Sequence, residues 1–161
     1  ISAERPFSFR NQFADAWYDL NNPDKTKTPM VVSFSTRRED FPPNLGDLSI
    51  EHVTLYFVRQ SGFTNEIPVQ HLFFTEQENE NPIGGAAQST DGIISTRRGN
   101  ANNWNTFIGK TPFGKWELAF ADESNDSLPD GRRVRDLFTE DFIEDILFVL
   151  TFAGQRPAFP Q

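Results

Sequence analysis

No cysteine occurs in these 161 residues. That excludes disulfides, thiolate nucleophiles and cysteine-ligated zinc, and it leaves the redox compartment open. Histidine is scarce too, with His52 and His71 alone. A zinc site needs three or four ligands, and nothing near either histidine supplies a third, so both read as structural strand residues. No apolar run approaches the roughly 18 residues of a membrane helix, and no charged-then-apolar leader begins the chain. Basic residues are in the minority, 15 Lys and Arg against 23 Asp and Glu, for a net charge of −8. Phosphate recognition needs a basic surface, so nucleic acid is not an expected partner and anionic lipid is a poor one. Methionine occurs once, at Met30. A chain that opens on Ile1 with that lone methionine is expected to be a fragment of a longer protein.

Catalytic signatures are missing as well. No Gly-x-Ser-x-Gly elbow supports a serine nucleophile. Asp15 and Asp19 flank Trp17 and Tyr18, a composition seen at sugar sites, but spacing alone does not make a glycosidase pair. The segment Asp122 to Gly131 starts like a calcium loop, with Asp122, Ser124 and Asp126 at alternate positions. It then places Ser127 where the turn glycine belongs and Arg133 where the closing glutamate belongs, so no metal is expected there. Asn125-Asp-Ser127 matches a glycosylation sequon, which matters only in a eukaryotic secreted protein. The reading is of a non-enzyme with no cofactor and no metal.

What the chain has in quantity is large rings: 17 Phe and 3 Trp among 161 residues. Many of them fall on strict alternation, the period of a strand with one buried face. Phe7 and Phe9 alternate in Arg5 to Arg10; Met30, Val32 and Phe34 in Met30 to Thr36; Val53, Leu55 and Phe57 in Leu48 to Arg59. Val69 and Phe73 share a face in Val69 to Thr75, and Ile93 to Thr96 is a short strand. Trp116, Leu118 and Phe120 alternate in Gly114 to Ala121. In Ile143 to Ala153, Ile146, Phe148, Leu150 and Phe152 form one face while Leu147 and Val149 make the other apolar too, which predicts a central strand covered on both sides. Asn11 to Leu20 carries Phe13, Trp17 and Leu20 at helical spacing and Asp15, Trp17 and Asp19 at strand spacing, and reads as a turn leading into a short ordered piece. Asn21-Asn-Pro-Asp is a turn, and Asp40 to Gly46, with Pro42 and Pro43, is a connection that cannot sit inside a sheet. Glu76 to Gln88, acidic and then rich in Gly and Ala, is the expected mobile loop. These signals predict an all-β fold: a single-domain, jelly-roll-like antiparallel β-sandwich over residues 1–161.

The strand patterns carry a resemblance. Gly114-Lys-Trp116-Glu-Leu118-Ala-Phe120, then Leu137-Phe138, then Ile143-Glu-Asp145-Ile146 through Phe152 resembles a segment of the A component of bacterial insecticidal toxin complexes (Tc toxins). Asp15-Ala-Trp17-Tyr18-Asp19-Leu20 and Thr36-Arg37-Arg38-Glu39-Asp40-Phe41-Pro42-Pro43 are also similar to phrases of such proteins. The resemblance implies a C-terminal domain that docks the B component, and so an assembly or recognition module within a large bacterial protein that is secreted or surface-associated. Its partners would be other domains or subunits. Arginines suit carboxylates and backbone carbonyls, which makes Arg37, Arg38, Arg97 and Arg98 the candidate contact residues. The alternative is a carbohydrate-binding module, with Trp104, set among Asn102, Asn103 and Asn105, as the sugar-stacking ring.

Overall fold

A computed structural model describes residues 1–22, 30–77, 79–120 and 128–157. Two open, four-stranded antiparallel sheets face each other across a shared aromatic core. The first holds β1 (Ser2–Ser8), β8 (Ile143–Gln155), β3 (Gly46–Arg59) and β6 (Ile93–Ser95), in that order. The second runs β2 (Met30–Thr36), β7 (Gly114–Phe120), β4 (Pro68–Glu76), β5 (Ile83–Gln88). Alternation sets which side chains meet between them. Trp116 of β7 lies edge-on to Phe148 of β8 (4.8 Å) and stacks on Phe74 of β4 (4.0 Å), while Phe34 of β2 meets Phe148 edge-on (5.2 Å). One polar group is drawn into this core with its bonds made. The Thr36 hydroxyl donates to the Pro112 carbonyl (2.6 Å) and accepts from the Trp116 indole N–H (2.9 Å), so neither buried group is left unpaired.

The all-β, jelly-roll-like sandwich expected from sequence is corrected by the helices and by the open sheets. Among the described residues the chain also forms α1 (Phe9–Gln12), α2 (Ala14–Asn21), α3 (Val134–Thr139) and 3-10 turns at Arg38–Asp40 and Asn102–Phe107. Helical spacing wins in Asn11 to Leu20, because Ala16 and Leu20, four apart, both become buried on one side. Trp17 then meets Phe138 of α3 edge-on (5.9 Å), and Phe138 meets Phe120 (5.3 Å), so α2 and α3 pack on the core beside the sheets. Phe9, expected in a strand, is buried at the start of α1, where the Ser8 side chain caps the first turn.

Two further expectations change. β8 is central, between β1 and β3, but it is covered on one face. Ile146, Phe148, Leu150 and Phe152 are buried, whereas Leu147 and Val149 are half-buried on the outer surface beside Tyr56 and Pro6. Ile83–Gln88, placed by sequence in a mobile loop, is instead β5, paired with β4. The turn at Asn21 to Asp24 falls partly outside the described residues, as do positions 122–127 of the acidic loop and its sequon.

Candidate interaction surface

The arginines singled out by sequence sit on two different sheets. Arg37 and Arg38 follow β2, and Arg97 and Arg98 follow β6. Arg38 is committed to its own loop. Its guanidinium donates to the carbonyls of Pro42 (3.0 Å) and Leu45 (2.6 Å) and lies over the Phe113 ring, bracing the Pro42-Pro43 connection. Arg37 is exposed at the rim of an open groove of about 560 Å³. Ser35, Thr75, Glu76, Gln77 and Lys115 help to line it. Neither Arg97 nor Arg98 reaches that groove. Both are exposed, and Arg98 contacts the Thr90 carbonyl at 3.3 Å. The four arginines therefore do not form one patch.

The groove continues across the outer face of the second sheet. Ser35, Thr75 and Lys115 also line a neighbouring hollow of about 410 Å³ with Ser33, Phe73, Pro82 and Glu117. β2 contributes hydroxyls because its outward phase is Val31, Ser33, Ser35, and β7 contributes charge through Lys115 and Glu117. Phe73 and Glu117 of this hollow are held by His71 behind them, whose ring stacks on Phe73 (4.0 Å) and bonds to Glu117 through Nε2 (2.8 Å). His71 thus has a structural partner on each side, and His52 has one, the Thr96 hydroxyl, which its Nδ1 bonds at 2.9 Å.

Trp104 is corrected. It is fully buried, and its Nε1–H donates to the Gly85 carbonyl of β5 at 2.9 Å. Asn103 donates to the Ala86 carbonyl (3.0 Å), so the turn Asn102–Phe107 lies along β5 and takes up its carbonyls. Close approach explains the Gly pair: a Cβ at Gly84 would collide with the Leu72 carbonyl oxygen of β4 and stand 2.9 Å from the Phe107 ring, and one at Gly85 2.9 Å from Asn103 Cβ. Trp104 is not available to stack on a sugar. The exposed tyrosines, Tyr18 on α2 (64% exposed) and Tyr56 on β3 (39%), stand on separate elements.

One carboxylate is electrostatically distinct. Burial opposes the charge of Glu66, but the Ser89 hydroxyl, the N–H groups of Gly92 and Asp91, and Arg59 outweigh it and hold its pKa below the usual carboxylate value. Glu66 thereby ties down the Asp91–Gly92 turn, where both residues have positive φ, and sets where β6 begins. This is an organising role that sequence reading missed. Its one signal was the Asp-Gly turn dipeptide. Among the described residues no group of three or more His, Asp or Glu could hold a metal, and no helix is long and apolar enough to cross a membrane.

No family model matches the chain, and no curated protein matches it. A solved structure does share its fold. Over 98% of its length the chain aligns with part of a chain in the cryo-EM structure of Yersinia pseudotuberculosis TcaA-TcaB, with a TM-score of 0.57 and 16% identity. This is a distant, partial structural similarity to a toxin-complex chain. The present chain spans about a tenth of that chain's length, 10%. At such identity the likeness is one of fold, and function must rest on the surface.

Proposed function

We propose that this chain is a non-enzymatic assembly module of a large bacterial toxin-complex-like protein, forming one domain and docking a B-type component or a neighbouring subunit. The observation that carries the reading is the fold shared with a segment of a much longer toxin-complex chain, taken with the strand motifs that resemble the A component. The surface agrees with it. A glycan binder presents two or three rings in one open patch, whereas here Trp104 and Trp116 are core residues and the exposed tyrosines stand apart. What lies open is a broad groove of hydroxyls and mixed charge with Phe73 as its one outward-facing ring. Such a surface suits protein docking. Export or surface display would come with the parent protein.

The test is capture. Immobilised chain should bind the purified B component of an insecticidal toxin complex saturably by interferometry, and a glycan panel should leave its tryptophan fluorescence unchanged. Specific binding of a simple glycan with no capture of the B component would replace this reading with the carbohydrate one.

A further inference from the structure

Each sheet has two edges, and three of the four are closed by identifiable groups. On β6 the outward groups of Ile93 and Ser95 are all taken. Asn100 pairs with the Ile93 carbonyl (2.9 Å) and the Ser95 N–H (3.0 Å), Thr90 exchanges two backbone bonds with Ile93, and Arg98 N–H donates to the Ser95 carbonyl (3.0 Å). On β5 the turn Asn102–Phe107 lies along the strand, and the Asn103 side chain takes the outward carbonyl of Ala86. On β1, Ile1 and Gly154 exchange both bonds, so Ser2, Glu4, Pro6 and Ser8 face outward. Pro6 has no N–H, its carbonyl accepts from Arg5, Ser8 N–H donates to Gln12, and Glu4 adds a charge. These are the ordinary means of blunting an edge.

β2 has neither the charge nor the proline of these edges, and although α2 packs against it, no group closes it. The Gln77 N–H donates to the Phe113 carbonyl (2.8 Å), which makes the odd residues of β7 face β4 and its even residues face β2. Through the β2–β7 register, Met30, Val32, Phe34 and Thr36 then bond to β7, and the N–H and C=O groups of Val31, Ser33 and Ser35 point out. Among the described residues nothing bonds to those outward groups. The strand, Met-Val-Val-Ser-Phe-Ser-Thr, has no charge and no proline, unlike the rest of an acidic chain. Beside it runs a groove of about 380 Å³, with Ser33 and Phe34 on one wall and Asn11 to Ala16, from α1 and α2, on the other.

We infer that β2 is the site of strand addition: an extended, uncharged segment of another polypeptide pairs with Val31, Ser33 and Ser35 and lies between β2 and the α1–α2 corner. Main-chain bonds supply the affinity in this mode, and the helical wall selects side-chain size. An uncharged occupant fits, because the strand offers no ion-pair partner and Asp15 on the facing wall disfavours acids. A second copy would bring its own flanking helices to a groove already walled by one set. The inference rests on the assembly reading and names its surface.

The probe is a blocked heptapeptide of alternating threonine and valine, titrated into the protein and followed by amide NMR. The expected result is saturable shifts and slowed hydrogen exchange at Val31, Ser33 and Ser35, with shifts also in Asn11 to Ala16. Ser33→Pro should weaken binding at least tenfold with little change in Tm, because the lost N–H makes no internal bond; Ser35→Pro is the second variant should the first not fold. Shifts centred on β5 or β6, no binding at millimolar peptide, a Ser33 amide already protected in the free protein, or a dimer formed through β2 would each overturn the proposal. Capture of the B component together with any of those results would leave the assembly reading standing and remove this edge from it.

Discussion

Truncating Trp104 distinguishes a wall of the core from a surface ring. The indole is fully buried, contacts Phe107 (6.3 Å between ring centroids), and satisfies the Gly85 carbonyl. Trp104→Phe keeps most of the apolar volume and deletes the donor. It removes the indole's bond to the Gly85 carbonyl, at about 0.5–1.5 kcal/mol. Trp104→Ala adds the cavity and should cost about 3–5 kcal/mol. For a domain of this size each kcal/mol lowers Tm by roughly 2–4 °C, so Trp104→Phe should melt several degrees early and Trp104→Ala more than about 6 °C early. Urea titration gives the free energies, and hydrogen exchange locates them: protection should fall first in β5. Asn103→Ala removes only the neighbouring, exposed donor and should cost less than about 1 kcal/mol. If Trp104→Ala costs less than about 1 kcal/mol, the ring is not core, the closure of β5 is wrong, and a ligand-stacking role returns.

The remaining expectations concern the core, one carboxylate and the arginines. Phe148→Ala and Trp116→Ala should each cost about 3–5 kcal/mol in urea denaturation, and Trp116→Phe with Thr36→Val should show coupling of about 0.5–1.5 kcal/mol in a double-mutant cycle, since the two share one buried bond. Glu66 has its pKa lowered by folding, so its contribution is present above the unfolded value of roughly 4.3 and is lost as pH falls through the lower folded value. Glu66→Gln should therefore be less stable than the parent at pH 7, with the gap closing as pH drops below about 4; a gap constant with pH would contradict this. Charge reversal at Arg97 and Arg98 should leave Tm within a degree or two, both being exposed, and a large loss would mean that they brace the β6 turn.

Where one face of a strand is buried, the sequence was legible. Val32 and Phe34, Leu55 and Phe57, Leu118 and Phe120, Leu150 and Phe152 are all in the core as their alternation predicts. The pattern failed at bulges. In β4 the pairing with β7 shifts between Val69 and His71, so Val69 and Leu72 are both buried, and His71 and Phe73 turn outward together. One extra residue flips every side chain beyond it, and composition gives no warning. β5 was missed for a different reason. Gly84 and Gly85 carry no side chain to alternate, and their small size, which reads as a loop, is what admits the Leu72 carbonyl of β4 on one side and the turn around Trp104 on the other. Trp104 was open to two readings, because an indole among asparagines resembles a sugar platform until Gly85 is seen to accept its N–H. The groove depends on residues from β2, β4 and β7 that are far apart in the chain, and nothing local announces it.

Hydrogen–deuterium exchange on the parent protein, alone and with its assembly partner bound, tests the assembly role most directly. The prediction is new protection over a continuous surface of this chain that includes β2 and the groove at Arg37 and Lys115, with the core strands unchanged. Identical exchange in the free and assembled states across every peptide of residues 1–161 would contradict it.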